Sequence, residues 1–200
     1  MTLLFPAAYT LILLVQQRRP RLALAFGAAA ALPFALWQGV LYARLGAFGV
    51  GSGGDQATAF EALPLMGFVR ILTEGGSAIF AVLAPLIVVF VLLPTAWALW
   101  RCGRDWQQQR AMQRGPLPPG TYPGWTPGTT LLAANALLML FVPFSTYREL
   151  LGIFRFIVGL QIAVILYAAE RRQRRVLRYS TLWFTTSFLV IFSDFATPPG

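Results

Sequence analysis

Long apolar blocks separated by short clusters of arginine constrain this chain more than any other feature. The blocks run over 3–15, 22–43, 77–100, 129–144, 150–169 and 181–195. A helix needs about 20 predominantly apolar residues to cross a bilayer, so the longer blocks read as membrane spans. The shorter ones reach across only with tilt or interfacial ends. Composition closes off the soluble alternative: 57% of the 200 residues are hydrophobic and 12% charged. A soluble domain carries about 25% charged residues, more than twice what this chain has to cover a water-facing surface.

The charge pattern sets an orientation. Arg18, Arg19 and Arg21 follow the first block, Arg101, Arg104, Arg110 and Arg114 the third, and Arg171, Arg172, Arg174, Arg175 and Arg178 the fifth. With six spans, these twelve arginines share one side. The other side holds Arg44, Arg70, Arg148 and Arg155 with Asp55, Glu61, Glu74, Glu149 and Asp194. Positive charge gathers on the cytoplasmic side of membrane proteins, so the arginine-rich loops are assigned there. The net charge of +9 is therefore an orientation signal, and nucleic acid is not an expected partner.

The expected fold is all-α, a polytopic transmembrane helix bundle of about six spans forming a single domain over 1–200. The outer loop, 44–76, contains Phe60 to Leu72, too short and too charged to cross, which predicts a short interfacial helix. The cytosolic loop, 101–128, begins with helix-compatible residues and ends in a Pro- and Gly-rich stretch that reads as a linker. The first block has its charges after it and no small-residue cleavage site before the next, unlike a signal peptide. Arginine without lysine, together with abundant Ala, Leu, Gly and Pro, points to a GC-rich bacterial genome and hence a bacterial inner membrane. Both termini fall outside in this topology. An outward-facing Met1 leads us to expect the C-terminal part of a longer protein.

Residue types exclude several chemistries. There is no histidine and a single cysteine, Cys102. Ser-His-Asp and Cys-His catalysis, an intrachain disulfide and a Cys/His metal site are all ruled out, and no metal or cofactor is expected. Gly49-Val-Gly51-Ser-Gly-Gly54 matches a dinucleotide fingerprint in letters alone. That fingerprint works between a strand and a helix, whereas this stretch follows a membrane helix.

The strongest site candidates lie at the outer end of the fifth span. Arg148, Gly152, Arg155 and Gly159, spaced i, i+4, i+7 and i+11, share one helical face. Arg155 sits within an apolar run, and an ionised residue inside a span marks a functional site by default. Two guanidinium groups about 10 Å apart along the axis suit a phosphate or carboxylate, as on an anionic lipid. The bland alternative stays open: Arg148 snorkels to the interface, and Arg155 pairs with Glu149, Glu61 or Asp194. Asp55, Glu61 and Glu149 are weaker candidates for general-base work, and none lies in a catalytic motif.

Three stretches, ALPFALWQGVLYARLG over 31–46, LPLMGFVR over 63–70 and PFSTYRE over 143–149, carry a resemblance. They look like the later helices of the GT-C superfamily, the multi-pass membrane glycosyltransferases that use a polyprenyl-phosphate sugar donor. The resemblance implies transfer of a sugar to a cell-surface glycan or lipid on the outer face, with Arg148 and Arg155 on the carrier phosphate and no nucleotide. In that family the catalytic acid lies in the first outer loop. The loop between spans one and two here is the basic turn Gln16 to Arg21, so the resemblance assigns no catalytic residue. Two further readings remain: a transporter or flippase of an anionic lipid-linked substrate, and a non-catalytic membrane subunit.

Overall fold

The computed structural model describes residues 4–15, 17–46, 48, 60–74, 84–115, 124–148 and 150–196, and every regular element among them is helical. The chain forms two compact units, Met1–Ala59 and Phe60–Gly200.

The first unit is a helical hairpin of α1 (Leu4–Val15) and α2 (Pro20–Leu45). The reversal uses Arg18 in the left-handed region at φ 52°. Tyr9 meets Phe26 edge-on at 5.1 Å, and Thr10 packs over Gly27. Helix α2 runs unbroken through Pro33 for 26 residues, about 39 Å of rise. Only Ala23 of its residues is buried, while Leu24, Leu36 and Trp37 are exposed on different sides. A helix apolar all round yet unburied by protein is suited to lipid.

The second unit begins with α3 (Met66–Glu74), in the segment expected to be interfacial. Helix α4 spans Ala84–Arg114 and includes a π-helical turn at Val88–Leu92. Pro94 explains the turn: it has no N–H for the Phe90 carbonyl, and the register widens so that Leu93 N–H reaches Val88 O. The helix continues past the expected span end at Trp100 through Arg114, over the residues read as helix-compatible. Residues 101–114 contain Gln, Arg and Met, all good helix formers, and no proline. Arg101 and Arg104 also stack on Trp100 at 5.0 and 5.1 Å.

Helix α5 (Pro127–Leu140) starts at a capping box: Thr126, in extended conformation, and Thr129 satisfy each other's backbone N–H, with Pro127 in the first turn. The short α6 (Phe144–Arg148) and the long α7 (Leu150–Glu170) follow. Arg172, at φ 52°, ends α7, with Gln173 N–H donating to Ala168 O at 2.8 Å and Arg172 N–H to Ala169 O at 3.1 Å. This is a Schellman cap, with arginine where glycine is usual. Helix α8 (Arg174–Ala196) begins inside the last arginine cluster, seven residues before the expected span.

Within this unit α5 packs on α4 and α7, α7 packs on α8, and α3 packs on α6. The core is the α5–α7 seam, where Leu132, Ala136, Ile157, Leu160 and Ala163 are fully buried. Among the described residues three helices are long and apolar enough to cross a membrane: Pro20–Leu45, Ala84–Arg114 and Gly152–Glu170. Phe5–Val15 and Pro127–Leu140 are apolar but shorter.

Candidate functional site

Two polar clusters stand at opposite ends of α5. At its C-terminal end, Glu61 holds the segment before α3 against the α5–α6 turn. Its backbone N–H donates to Phe141 O at 3.1 Å, and Leu65 N–H donates to Leu140 O at 2.6 Å. The Glu61 carboxylate accepts from Phe144 N–H at 3.3 Å and from Arg70 at 3.4 Å, both on Oε1. Arg70 also lies 4.7 Å from the Phe144 ring. Gly67 is required here, because a Cβ would overlap the Val142 carbonyl oxygen. Tyr147 is buried beneath, and burial pushes its phenol up to about 12, so the hydroxyl stays protonated. That hydroxyl has no hydrogen-bond partner among the described residues.

At the N-terminal end of α5, Asp105 of α4 and Arg171 at the end of α7 form an ion pair of 2.8 Å, both almost completely buried. Asp105 also accepts from Thr129 Oγ1 at 2.6 Å and from Tyr167 OH at 3.3 Å. Arg171 donates as well to the Gly124 carbonyl. Glu170 accepts from Gly128 N–H at 2.9 Å and Thr126 Oγ1 at 3.0 Å, placing its charge on the N-terminus of α5. Helix dipoles favour an anion there. Trp125 completes the cluster, its N–H donating to Gln109 at 3.1 Å and its indole to Thr130 at 2.7 Å. Three donors, one of them a guanidinium, occupy both carboxylate oxygens of Asp105. This cluster fastens α4, α5 and α7 together.

The sequence-derived candidates fall unevenly on this frame. Glu61 is engaged as described. Arg148 is the last residue of α6 and Arg155 lies in the second turn of α7; their side chains are outside the described residues. Asp55 and Glu149 are outside them altogether, as is the Gly-rich stretch 49–54. Around Arg155, Ile153, Phe154 and Ile157 are buried. No group of three or more His, Cys, Asp or Glu residues able to hold a metal ion occurs among the described residues.

The Asp105–Arg171 pair escaped the sequence reading, which counted Arg171 among the orientation charges. A signal was present: Asp105 and Glu170 are the two acids on the otherwise arginine-only side of the alternation. Both proved to be structural. No family model matches the chain, and no curated protein or solved structure does.

Proposed function

We propose that the chain is all or part of a multi-pass membrane glycosyltransferase that takes a sugar from a polyprenyl-phosphate donor. The acceptor is a cell-surface glycan or lipid at the outer face of a bacterial cytoplasmic membrane. Arg148 and Arg155 engage the carrier phosphate, and the chain crosses the membrane about six times with its termini outside.

The observation that supports the membrane arrangement in this reading is the separation of the two polar clusters; the activity rests on the sequence resemblance. Helix α5 leads from the Asp105 cluster to the Glu61 cluster, and α7 ends at the Asp105 cluster. Their lengths, 14 and 21 residues, correspond to about 21 and 32 Å of rise. The latter matches a hydrocarbon core of about 30 Å. Loop residues assigned to one side of the membrane by charge (Asp105, Gly124, Trp125, Thr126 and Arg171) meet in one cluster, with the adjoining ends of the expected spans. Glu61 and Arg70, from the outer loop, meet in the other, against the end of the fourth expected span at Phe141 and Phe144. Both pairings agree with the positive-inside assignment. Helix α6, which ends in Arg148, packs on α3 and α7, so the helices bearing Arg70, Arg148 and Arg155 are neighbours.

Replacing Arg148 and Arg155 with Ala in a strain that depends on this gene should abolish or strongly reduce its surface glycopolymer while membrane insertion persists. Wild-type polymer in both variants refutes the phosphate role. Topology is tested separately in a Cys102→Ala background. Leu63→Cys should react with an impermeant thiol reagent from outside, and Gln108→Cys only after the membrane is opened. The reverse pattern refutes the orientation.

A further inference from the structure

An open groove of about 580 Å³ lies between α4 and α8 with α7 at its floor. It belongs to neither polar cluster. Its walls are almost wholly apolar: Val89, Phe90, Leu93, Pro94 and Trp97 on one side, Leu182 and Trp183 among those on the other. The π-helical turn and Pro94 shape the α4 wall, and π-turns recur at functional sites.

Its arginine-bearing end differs from the rest. Arg101 stands one turn beyond Trp97 on the same face of α4, its guanidinium 5.5 Å from that ring. Arg101 also reaches Gln173, at the start of α8, at 3.5 Å. Arg175 stands one turn before Tyr179 and two before Leu182, on the face that lines the groove. The two arginines thus come from facing helices, with Arg101 inside α4 tied to the start of α8. Neither has a carboxylate within salt-bridge distance among the described residues, where the ion pairs are Glu61–Arg70 and Asp105–Arg171.

We infer that this groove holds an acyl chain of an anionic phospholipid, with Arg101 and Arg175 facing its phosphate. Length supports the lipid. From Val176 to Thr186 the groove wall spans ten residues, about 15 Å, half of a hydrocarbon core of about 30 Å and so the depth of one leaflet. Charge selects the headgroup: two guanidinium groups without an ion-pair partner among the described residues favour a phosphate with net negative charge over a zwitterion. The inference requires that this face meets lipid, and it stands or falls independently of the glycosyltransferase reading.

The test uses the full chain in lipid nanodiscs with phosphatidylglycerol or phosphatidylcholine carrying a photoactivatable group on one acyl chain. Adducts are mapped by mass spectrometry. The phosphatidylglycerol probe should label 89–97 and 176–186 in preference to the phosphatidylcholine probe. Arg175→Gln, at an exposed position, should lower the phosphatidylglycerol labelling about fivefold and leave the other probe unchanged. Leu93→Trp, which fills the groove, should suppress labelling of both segments. Equal labelling by the two probes, or no response to Arg175→Gln, overturns the inference in favour of ordinary annular lipid. Cross-links from these segments to a second copy in place of lipid overturn it as well.

Discussion

Asp105→Asn removes the charge that holds Arg171 inside the protein, and its consequences can be sized from the contacts. In the native protein Arg171 is almost fully buried, bonded to Asp105 at 2.8 Å and to the Gly124 carbonyl. Removing one partner of a buried pair costs about 3–5 kcal/mol, because the remaining charge is desolvated without compensation. The reporter is already present. Cys102 is the chain's only cysteine, is buried, and donates to Thr129 O at 3.7 Å, one turn from Asp105. Its reaction with a small thiol reagent requires the α4–α5 seam to open. If opening is fast relative to labelling, the rate follows the open population, and Asp105→Asn should raise it roughly 10²- to 10³-fold. The double variant Asp105→Leu with Arg171→Met should recover much of the protection, since replacing both charges by apolar groups is often neutral. Recovery will fall short by about 1–3 kcal/mol for each buried group left unpaired, because the Gly124 carbonyl loses its guanidinium donor and the Thr129 and Tyr167 hydroxyls lose the Asp105 carboxylate. Labelling of Asp105→Asn at the wild-type rate would refute the claim that this pair fastens the helices. So would a double variant that opens as readily as the two single losses added together.

Other substitutions probe neighbouring claims. Gly67→Ala drives a Cβ into the Val142 carbonyl and should destabilise α3 docking by about 1–3 kcal/mol, seen as faster proteolysis within 60–76. Unchanged cleavage would show that α3 is not seated on the α5–α6 turn. Glu170→Gln keeps shape but removes the anion at the start of α5, and a loss of about 0.5–2 kcal/mol in thermal unfolding is expected. Arg172→Gly relieves a left-handed arginine at the end of α7 and should be neutral or raise the melting temperature by a few degrees. A marked fall would mean the arginine side chain contributes more than its backbone costs.

What could be read from the sequence follows from the kind of information each feature uses. Apolar run length is local, so α1, α2, α5 and α7 begin and end within a few residues of the expected blocks. Helix α4 outruns the expected span because hydropathy falls at Arg101 while helix propensity, already visible over 101–114, does not. Polarity marks where lipid ends, and the backbone has no reason to stop there. A short helix within Phe60 to Leu72 was expected from its length and from Glu61, Pro64 and Arg70, and α3 begins inside that stretch. The seat of this stretch on Phe141 and Phe144 was not legible, because those residues are some eighty positions away and nothing in the apolar pattern couples them. The Asp105–Arg171 pair was illegible for the same reason, being 66 residues apart. Arginines near membrane boundaries look alike in sequence whether they face lipid headgroups or a buried carboxylate.

The two clusters differ in the chemical capacity they leave. Asp105 spends its oxygens on Arg171, Thr129 and Tyr167, and Glu170 spends an oxygen on the start of α5. That end of the bundle is committed to holding helices together. At the opposite end Glu61 uses a single oxygen for its described bonds, while a carboxylate offers about four acceptor sites. Tyr147 keeps a buried, protonated hydroxyl with no partner among the described residues. Burying a hydroxyl without a partner costs about 1–3 kcal/mol, which a protein tolerates where a ligand or water can take the bond. Replacing Tyr147 with Phe therefore separates the two roles of that end. If the hydroxyl serves only packing, Tyr147→Phe should be neutral or stabilising in thermal unfolding and leave surface glycopolymer intact. If it meets substrate, stability should hold while polymer falls. A loss of stability would instead show that the hydroxyl is bonded in the folded protein, and would remove it from the site.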